Sequence, residues 1–385
     1  MGDHSNRIPC VIMRGGTSKC VVFHAKDLPS DSEMRDQLLL SIMGSPDPRQ
    51  IDGLGGSYST TSKVCIIGPP SVPDADIDYT FAQVSITDPI VDYKGNCGNC
   101  SSSVGPFAID EGLLETVEEP FTTVRIYNTN TKKIIRAEVP VREGRFDSVG
   151  DTLISGVPNP GSRILIWFDS PGGAVTGKLL PTGQSKDIVD IPGLGEIPIS
   201  IVDAGNPCVF ISGDYLLKNG TESPDALDAD SQFSERIETI RSVAAEMSGL
   251  IPDWRQATAH SPAVPKSVFI MPPTDYTNLV GSKIAAKEMD ILARIMSMQT
   301  CHRAFALTGA VATVAAAFTK GSVVYETLSD KVRESRIIRI GHPSGTMEMQ
   351  VQIDNGEIGA VGTIRTARRL MKGHVYVHKG LPEVA

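Results

Sequence analysis

The chain is 385 residues long, and a few of its residues have the types and spacing that chemistry needs. Cys97 lies in Gly95-Asn96-Cys97-Gly98-Asn99, just ahead of a predicted helix. A helix start offers free N–H groups and a partial positive charge, which favour a thiolate and can hold a carboxylate. A Gly-Asn turn around an inert buried thiol accounts for the same residues, and the local sequence does not choose between the two. Lys63 ends the glycine-rich run Gly53-Leu54-Gly55-Gly56-Ser57-Tyr58-Ser59-Thr60-Thr61-Ser62 and heads an apolar strand. Buried among apolar groups, a lysine there becomes a base near neutral pH; exposed, it is a solvated strand end. Arg14-Gly15-Gly16-Thr17-Ser18-Lys19 combines two cations, two hydroxyls and a pliant backbone, a composition suited to gripping a carboxylate. An ordinary hairpin loop has the same look. His342, in Gly341-His342-Pro343-Ser344-Gly345, either meets a substrate or caps a turn.

Other chemistries find no footing. Cys97 and Cys100 form a Cys-x-x-Cys pair, but zinc needs two more ligands at regular spacing and a thioredoxin-type pair needs a βαβ context. Neither is legible, so Cys100 reads as a packing residue. The glycine run precedes a strand instead of opening a helix, and Lys63 is not followed by Ser or Thr, which excludes the dinucleotide fingerprint and the P-loop. There is no Gly-x-Ser-x-Gly elbow, no His-Glu-x-x-His and no acidic cluster suited to magnesium. The expectation is chemistry with no metal and no cofactor.

The elements that must position these residues are mostly short strands, expected at 8–13, 20–24, 63–67, 79–87, 124–127, 134–139 and 164–168. A second set falls at 197–203, 208–212, 267–271, 336–341, 347–353, 358–365 and 374–378. Helices are expected at 31–43, 103–114, 233–249, 284–298, 309–319 and 366–371. Strands and helices do not alternate regularly, so the fold class is α+β and a doubly wound sheet is disfavoured. The halves rhyme. Each has several strands and then one small-residue helix that follows a glycine-containing turn, and a helix apolar or small all round is a buried one. Two similar domains follow, 1–187 and 188–385.

Composition narrows the class. Lys and Arg total 36 against 45 Asp and Glu, a net charge of −9 that counts against nucleic-acid binding. No stretch approaches the ~18–20 apolar residues of a membrane span. The opening Met1-Gly2-Asp3-His4-Ser5-Asn6-Arg7 lacks the apolar core of a signal peptide. Seven cysteines are too few and too scattered for a disulfide scaffold, so a reduced, cytoplasmic protein is expected, with Cys10, Cys65 and Cys208 in the core. A homodimer is the default assembly.

Taken together, Arg14 to Lys19, Gly53 to Gly56 with Thr61-Ser62-Lys63-Val64, and Asn96-Cys97-Gly98-Asn99 resemble the PrpF family. So do Asp203 to Pro207, His302 to Gly309, Gly341 to Gly345 and Arg365 to Leu370. The matches run in order along nearly the whole chain. The resemblance implies a diaminopimelate epimerase-like fold: two pseudo-symmetric domains, each a curled sheet around a central helix, with the active site in the cleft between them. It also implies an isomerase of unsaturated di- and tricarboxylates such as aconitate, methylaconitate or methylitaconate. Lys63 and Cys97 would flank the substrate, with Lys63 taken as base and Cys97 as acid and the reverse left open. Carboxylates would be held by Arg14, Gly16, Thr17, Ser18, Lys19, Gly55, Gly56, Ser57, Ser62, Asn96, Gly98 and Asn99. From the second half, His302, Thr308, Gly309, Ala310 and Ser344 would contribute. The epimerases' second cysteine has no counterpart near Thr308, which counts against the rival reading of an amino-acid epimerase or racemase. A non-catalytic carboxylate binder, the other rival, would not need Lys63 and Cys97 together. Departures from the family pattern at Cys20, Cys100 and Ser101 leave the particular acid open.

Overall fold

A computed structural model describes residues 7–377. Residues 1–6, which hold most of the opening segment, and His378, at the end of the last expected strand, lie outside the described residues. The chain divides into two compact units. Unit 1 comprises 1–153, 159–166 and 365–385, and unit 2 comprises 154–158 and 167–364.

In unit 1 the strands β1 (Arg7–Gly15) and β2 (Ser18–His24) form an antiparallel hairpin. Helix α1 (Ser32–Met43) then leads to β3 (Lys63–Gly68), parallel to β2 and antiparallel to β4 (Ile77–Val84). Helix α2 (Gly98–Asp110) follows. After it come β5 (Phe121–Asn128), parallel to β4, and β6 (Lys133–Arg142), antiparallel to β5. The local signals explain the first helix. Asp31 accepts the Met34 N–H at one end of α1, and Gly44 closes the other end at φ +73°.

Unit 2 repeats this order. It runs β7 (Gly195–Ala204), β8 (Asn206–Ser212), α3 (Ser231–Met247), β9 (Lys266–Met271), β10 (Ile291–Ser297), α4 (Leu307–Ala317), β11 (Ile337–His342) and β12 (Gly345–Asp354). Successive pairings are again antiparallel, parallel, antiparallel, parallel and antiparallel. The third strand of each unit begins with a buried lysine, Lys63 in one and Lys266 in the other. Strand β13 (Glu357–Arg365) extends this order beside β12, and β14 (Ala367–Tyr376) pairs with β1. That last pairing assigns the C-terminal segment to unit 1. The contact-defined units therefore depart from a single cut at 187.

The two small-residue helices are the centres of their units. Every residue of α2 from Gly98 to Ile109 is buried, and α2 packs on β1, β2, β3, β5, β6 and β14. Burying three consecutive serines is possible because each hydroxyl donates back to a helix carbonyl. Ser101 bonds to Cys97 O at 3.1 Å, Ser102 to Asn99 O at 2.7 Å and Ser103 to Cys100 O at 2.7 Å. All of α4 is buried, and a Cβ on Gly309 would sit 2.2 Å from Ile295 Cδ1.

Two expected helices are strands. The segment 284–298 contains β10, whose seven residues are all buried. An apolar run covered on both faces loses the two-residue alternation that marks a strand. The segment 366–371 opens β14, where edge-to-edge pairing with β1 decides. Among the described residues no helix is long and apolar enough to cross a membrane.

Candidate functional site

Unit 1 brings Lys63, Cys97 and the 14–19 loop together. Cys97 is the N-cap of α2, half-buried, with Sγ accepting the Cys100 N–H at 3.5 Å. Ser18 Oγ lies 3.8 Å from the same sulfur. Burial alone would push this thiol up. The Cys100 thiol, the positive charge of Lys63, the Cys100 N–H and Ser18 together outweigh burial and bring it down to about 5. These contacts favour the thiolate form of Cys97. Its backbone is fixed as well, because Tyr79 Oη and Ser101 Oγ both donate to Cys97 O.

Lys63 is buried at the head of β3, directly across from Gln83 on β4. Lys63 Nζ donates to Gln83 Oε1 at 2.6 Å and lies 5.1 Å from the centre of the Phe81 ring. Gln83 cannot turn its other end toward the lysine without losing bonds, because Nε2 is spent on Ser62 O at 2.9 Å and Ser59 O at 3.3 Å. The strand register and this amide thus aim one cation at a fixed place.

The loop between β1 and β2 lies against the start of α2. Gly16 is at φ +48°, and a Cβ there would meet Asn99 Oδ1 at 2.2 Å. Asn99 Oδ1 accepts from Thr17 N at 3.5 Å and from Arg365 Nε at 3.3 Å. Arg14 spans the loop, donating to Gly16 O at 2.9 Å and Thr366 O at 2.8 Å. Thr17 Oγ1 is buried with no hydrogen-bond partner among the described residues. Lys19 N donates to Thr60 O, and Lys19 Nζ would lie 3.4 Å from a Cβ on Gly56. Gly98 and Asn96 are buried on either side of Cys97.

Other expected contacts are spent inside the protein. Gln50 Oε1 accepts the Ser57 N–H at 3.0 Å, and a Cβ on Gly55 would strike the same amide at 2.2 Å. Ser62, fully buried, donates to Val84 O and accepts from Gln50 Nε2. Both serines therefore build the glycine loop and have no donor left over for a ligand.

In unit 2, His302 is buried with Nδ1 accepting the Ala304 N–H at 3.0 Å. Ser344 Oγ donates to Arg303 O at 2.6 Å, which joins the 302–303 and 344 segments. Thr308 Oγ1 accepts from Asn206 Nδ2 at 3.0 Å in the first turn of α4. Ala306 gives that helix no side-chain cap, and Gly309 allows close approach. The Ala310 N–H is already donated to Ala306 O, so it is not available to a ligand.

Sequence reasoning misses Gln83, visible only as a polar residue inside an apolar strand. It also misses the convergence of Cys20, Cys65 and Cys100, whose sulfurs all lie within 4.8 Å of one another. Those three positions are far apart in sequence, and only the sheet around α2 brings them together.

The PrpF protein family model matches residues 5–378. The chain belongs to the PrpF family, and its fold is α+β, built of two diaminopimelate epimerase-like units. A 3-methylitaconate isomerase of Eubacterium barkeri is 46% identical over 374 residues, covering 97% of this chain and 98% of that protein. A 2-methyl-aconitate isomerase of Shewanella oneidensis is 39% identical over 389 residues, covering 97% of each. A crystal structure of a methylitaconate-delta-isomerase aligns at TM-score 0.79 and 45% identity, covering 98% of this chain and 97% of that one. The protein is an isomerase.

Proposed function

We propose that this isomerase moves a proton across the allylic system of an unsaturated di- or tricarboxylate, shifting the double bond or its geometry. The observation that carries the reading is the Cys97 sulfur at the start of α2, facing the Cys100 N–H and Ser18 Oγ, with the charge of Lys63 favouring its thiolate. Cys97 takes a proton from the carbon one bond beyond the alkene. The electrons delocalise through the alkene onto a carboxylate as a dienolate. Lys63 returns a proton at the far end of the allyl unit. These roles are the reverse of Lys63 as base and Cys97 as acid, and the reason is the lowered Cys97 thiol, whose thiolate is ready to accept a proton.

The N-terminus of α2 at Gly98 and Asn99, with the hydroxyls of Thr17 and Ser18, is suited to the carboxylate on which charge grows. A carboxylate would also satisfy Thr17 Oγ1, whose burial without a partner otherwise costs free energy. In unit 2 the uncapped start of α4 at Thr308 and Gly309 is a second carboxylate-binding element. The two-thiol epimerase reading is disfavoured. The cysteines of unit 2 are Cys208 and Cys301, both buried, and burial pushes each up to about 12. The relatives' printed names support methylitaconate and methylaconitate as first substrates to try.

Proton NMR in deuterated water tests the proposal with cis-aconitate, trans-aconitate, methylitaconate and diaminopimelate offered singly. Deuterium entering an allylic position with alkene migration, absent in Cys97→Ala and Lys63→Ala, is the expected result. Exchange confined to an amino-acid α-carbon, or migration undiminished in both variants, would overturn it.

A further inference from the structure

Helix α2, with Cys97 at its cap and Cys100 in its first turn, joins the parallel strands β4 and β5, so the Cys-x-x-Cys pair sits in a βαβ unit that the sequence did not show. Cys97 caps α2 and is half-buried, whereas Cys100 is fully buried in the first helical turn. The Cys100 N–H points at Cys97 Sγ from 3.5 Å. Side chains three residues apart on a helix are separated by about 5–6 Å at Cβ. A disulfide needs about 3.5–4.5 Å there, so closing the bridge draws the two Cβ atoms together by about 1–2 Å, and Cys97, as the cap, lies outside the helical ladder and can make that shift. Behind Cys100 stand Cys20 and Cys65, also buried, and all three sulfurs lie within 4.8 Å of one another. Cys97 Sγ accepts the Cys100 N–H and lies 3.8 Å from Ser18 Oγ.

The geometry points to Cys97–Cys100 as a peroxide-driven disulfide site, in which Cys97 meets the oxidant and Cys100 resolves the product. The Cys97 thiolate attacks one oxygen of a hydroperoxide. An S–O bond forms, the O–O bond breaks, and the leaving oxygen takes up a proton, giving a sulfenic acid. The Cys100 sulfur then attacks the Cys97 sulfur. The S–S bond forms, the S–O bond breaks, and hydroxide leaves as water with the Cys100 proton. Two thiols are oxidised by two electrons and the peroxide is reduced by two. Burial keeps Cys100 a neutral thiol well into the alkaline range, so it carries the proton that this step needs.

The disulfide removes the Cys97 thiolate, so proton transfer stops until a thiol reductant restores it. That consequence for activity rests on the function proposed above, whereas the disulfide itself does not. Rapid resolution also spares Cys97 from irreversible sulfinic and sulfonic acids.

Peptide mapping of the native protein tests the inference. The reduced enzyme is treated with a few equivalents of hydrogen peroxide, denatured, alkylated with iodoacetamide and digested. The expected product is the peptide bearing both cysteines, two hydrogens lighter and alkylated at neither. Activity falls in proportion and returns with dithiothreitol. In Cys100→Ser the expected product is Cys97 sulfinic or sulfonic acid, and activity relative to the untreated variant does not return. Cys97 over-oxidised in the native protein while Cys100 remains alkylatable overturns the inference. So does Cys100 found joined to Cys20 or Cys65. A mapped disulfide with full activity would confirm the site and refute the catalytic role of Cys97.

Discussion

Replacing Lys63 by methionine removes the positive charge that helps hold Cys97 as a thiolate, while keeping an apolar stem of similar length beside Phe81. The native thiol titrates at about 5 although burial acts to raise it. An opposite charge within a few ångströms lowers a pKa by about 1–3 units, and at 1.36 kcal/mol per unit this is about 1.4–4 kcal/mol. The Cys100 N–H, the Cys100 thiol and Ser18 remain in the variant, so the shift falls short of the full return to an ordinary thiol. The expected midpoint in Lys63→Met therefore lies between ~6 and ~8. At pH 7 the native enzyme is almost wholly thiolate. A variant titrating near 8 would be only about a tenth thiolate. Two readouts follow the thiolate directly: its absorbance near 240 nm against pH, and the pH dependence of alkylation by iodoacetamide at low reagent excess. Mapping the first alkylated peptide assigns the signal to Cys97. A midpoint unchanged from the native value would refute the reasoning, since it would mean that Cys100 and Ser18 hold the thiolate without Lys63. A midpoint above about 9 would mean that burial outweighs the Cys100 and Ser18 contacts that remain.

Other consequences can be checked together. Because Cys97 titrates at about 5 when folded and at 9.0 as an ordinary thiol, its contribution to stability is complete above about 9 and lost as pH falls toward 5. Urea midpoints should therefore rise with pH in that window, and Cys97→Ser should flatten the rise. Gln83→Leu leaves Lys63 Nζ buried without its acceptor, and chemical denaturation should show a loss of about 1–3 kcal/mol. Thr17→Val should stabilise the free protein, since it removes a buried hydroxyl that has no partner, but raise KM about tenfold if that hydroxyl binds a substrate carboxylate. An unchanged KM would remove Thr17 from the site. Glu111 feels burial, which raises it, but Lys372 and Arg369 bring it down to about 2. Its stabilising effect is present above about 4.5 and fades toward pH 2, so Glu111→Gln should flatten the acid limb of thermal melting.

Much of this is legible in the amino-acid sequence. The repeated small-residue helix announces a buried centre in each half, and α1 and α2 fall close to where caps and patterning put them. Cys97 is marked by its place before a helix, and the structure makes it the capping residue itself. The failures have physical causes. Segment 284–298 is misread as a helix because a strand buried on both faces has no polar alternation to betray it. Segment 366–371 is misread because its partner, β1, lies at the other end of the chain. The charge balance at Cys97 depends on Lys63, placed by a register opposite Gln83, and on Ser18 from the hairpin of β1 and β2. Neither is a property of any local window. Ser57 and Ser62 look like ligand donors in a glycine loop, but Gln50 and Arg49 accept from Ser57 and Val84 accepts from Ser62.

The recurrence of one strand and helix order in both units gives the molecule an internal control. Lys266 begins the third strand of its unit as Lys63 does, and Ser297 on the next strand receives its ammonium as Gln83 receives that of Lys63. Where the central helix of unit 1 is capped by Cys97, that of unit 2 is capped by Ala306. The two copies thus share a plan and a buried cation but differ at the cap, where one carries a thiol and the other a methyl group. On the function proposed above, a single cap position separates the copy that takes a proton from the copy that does not, over a plan both share.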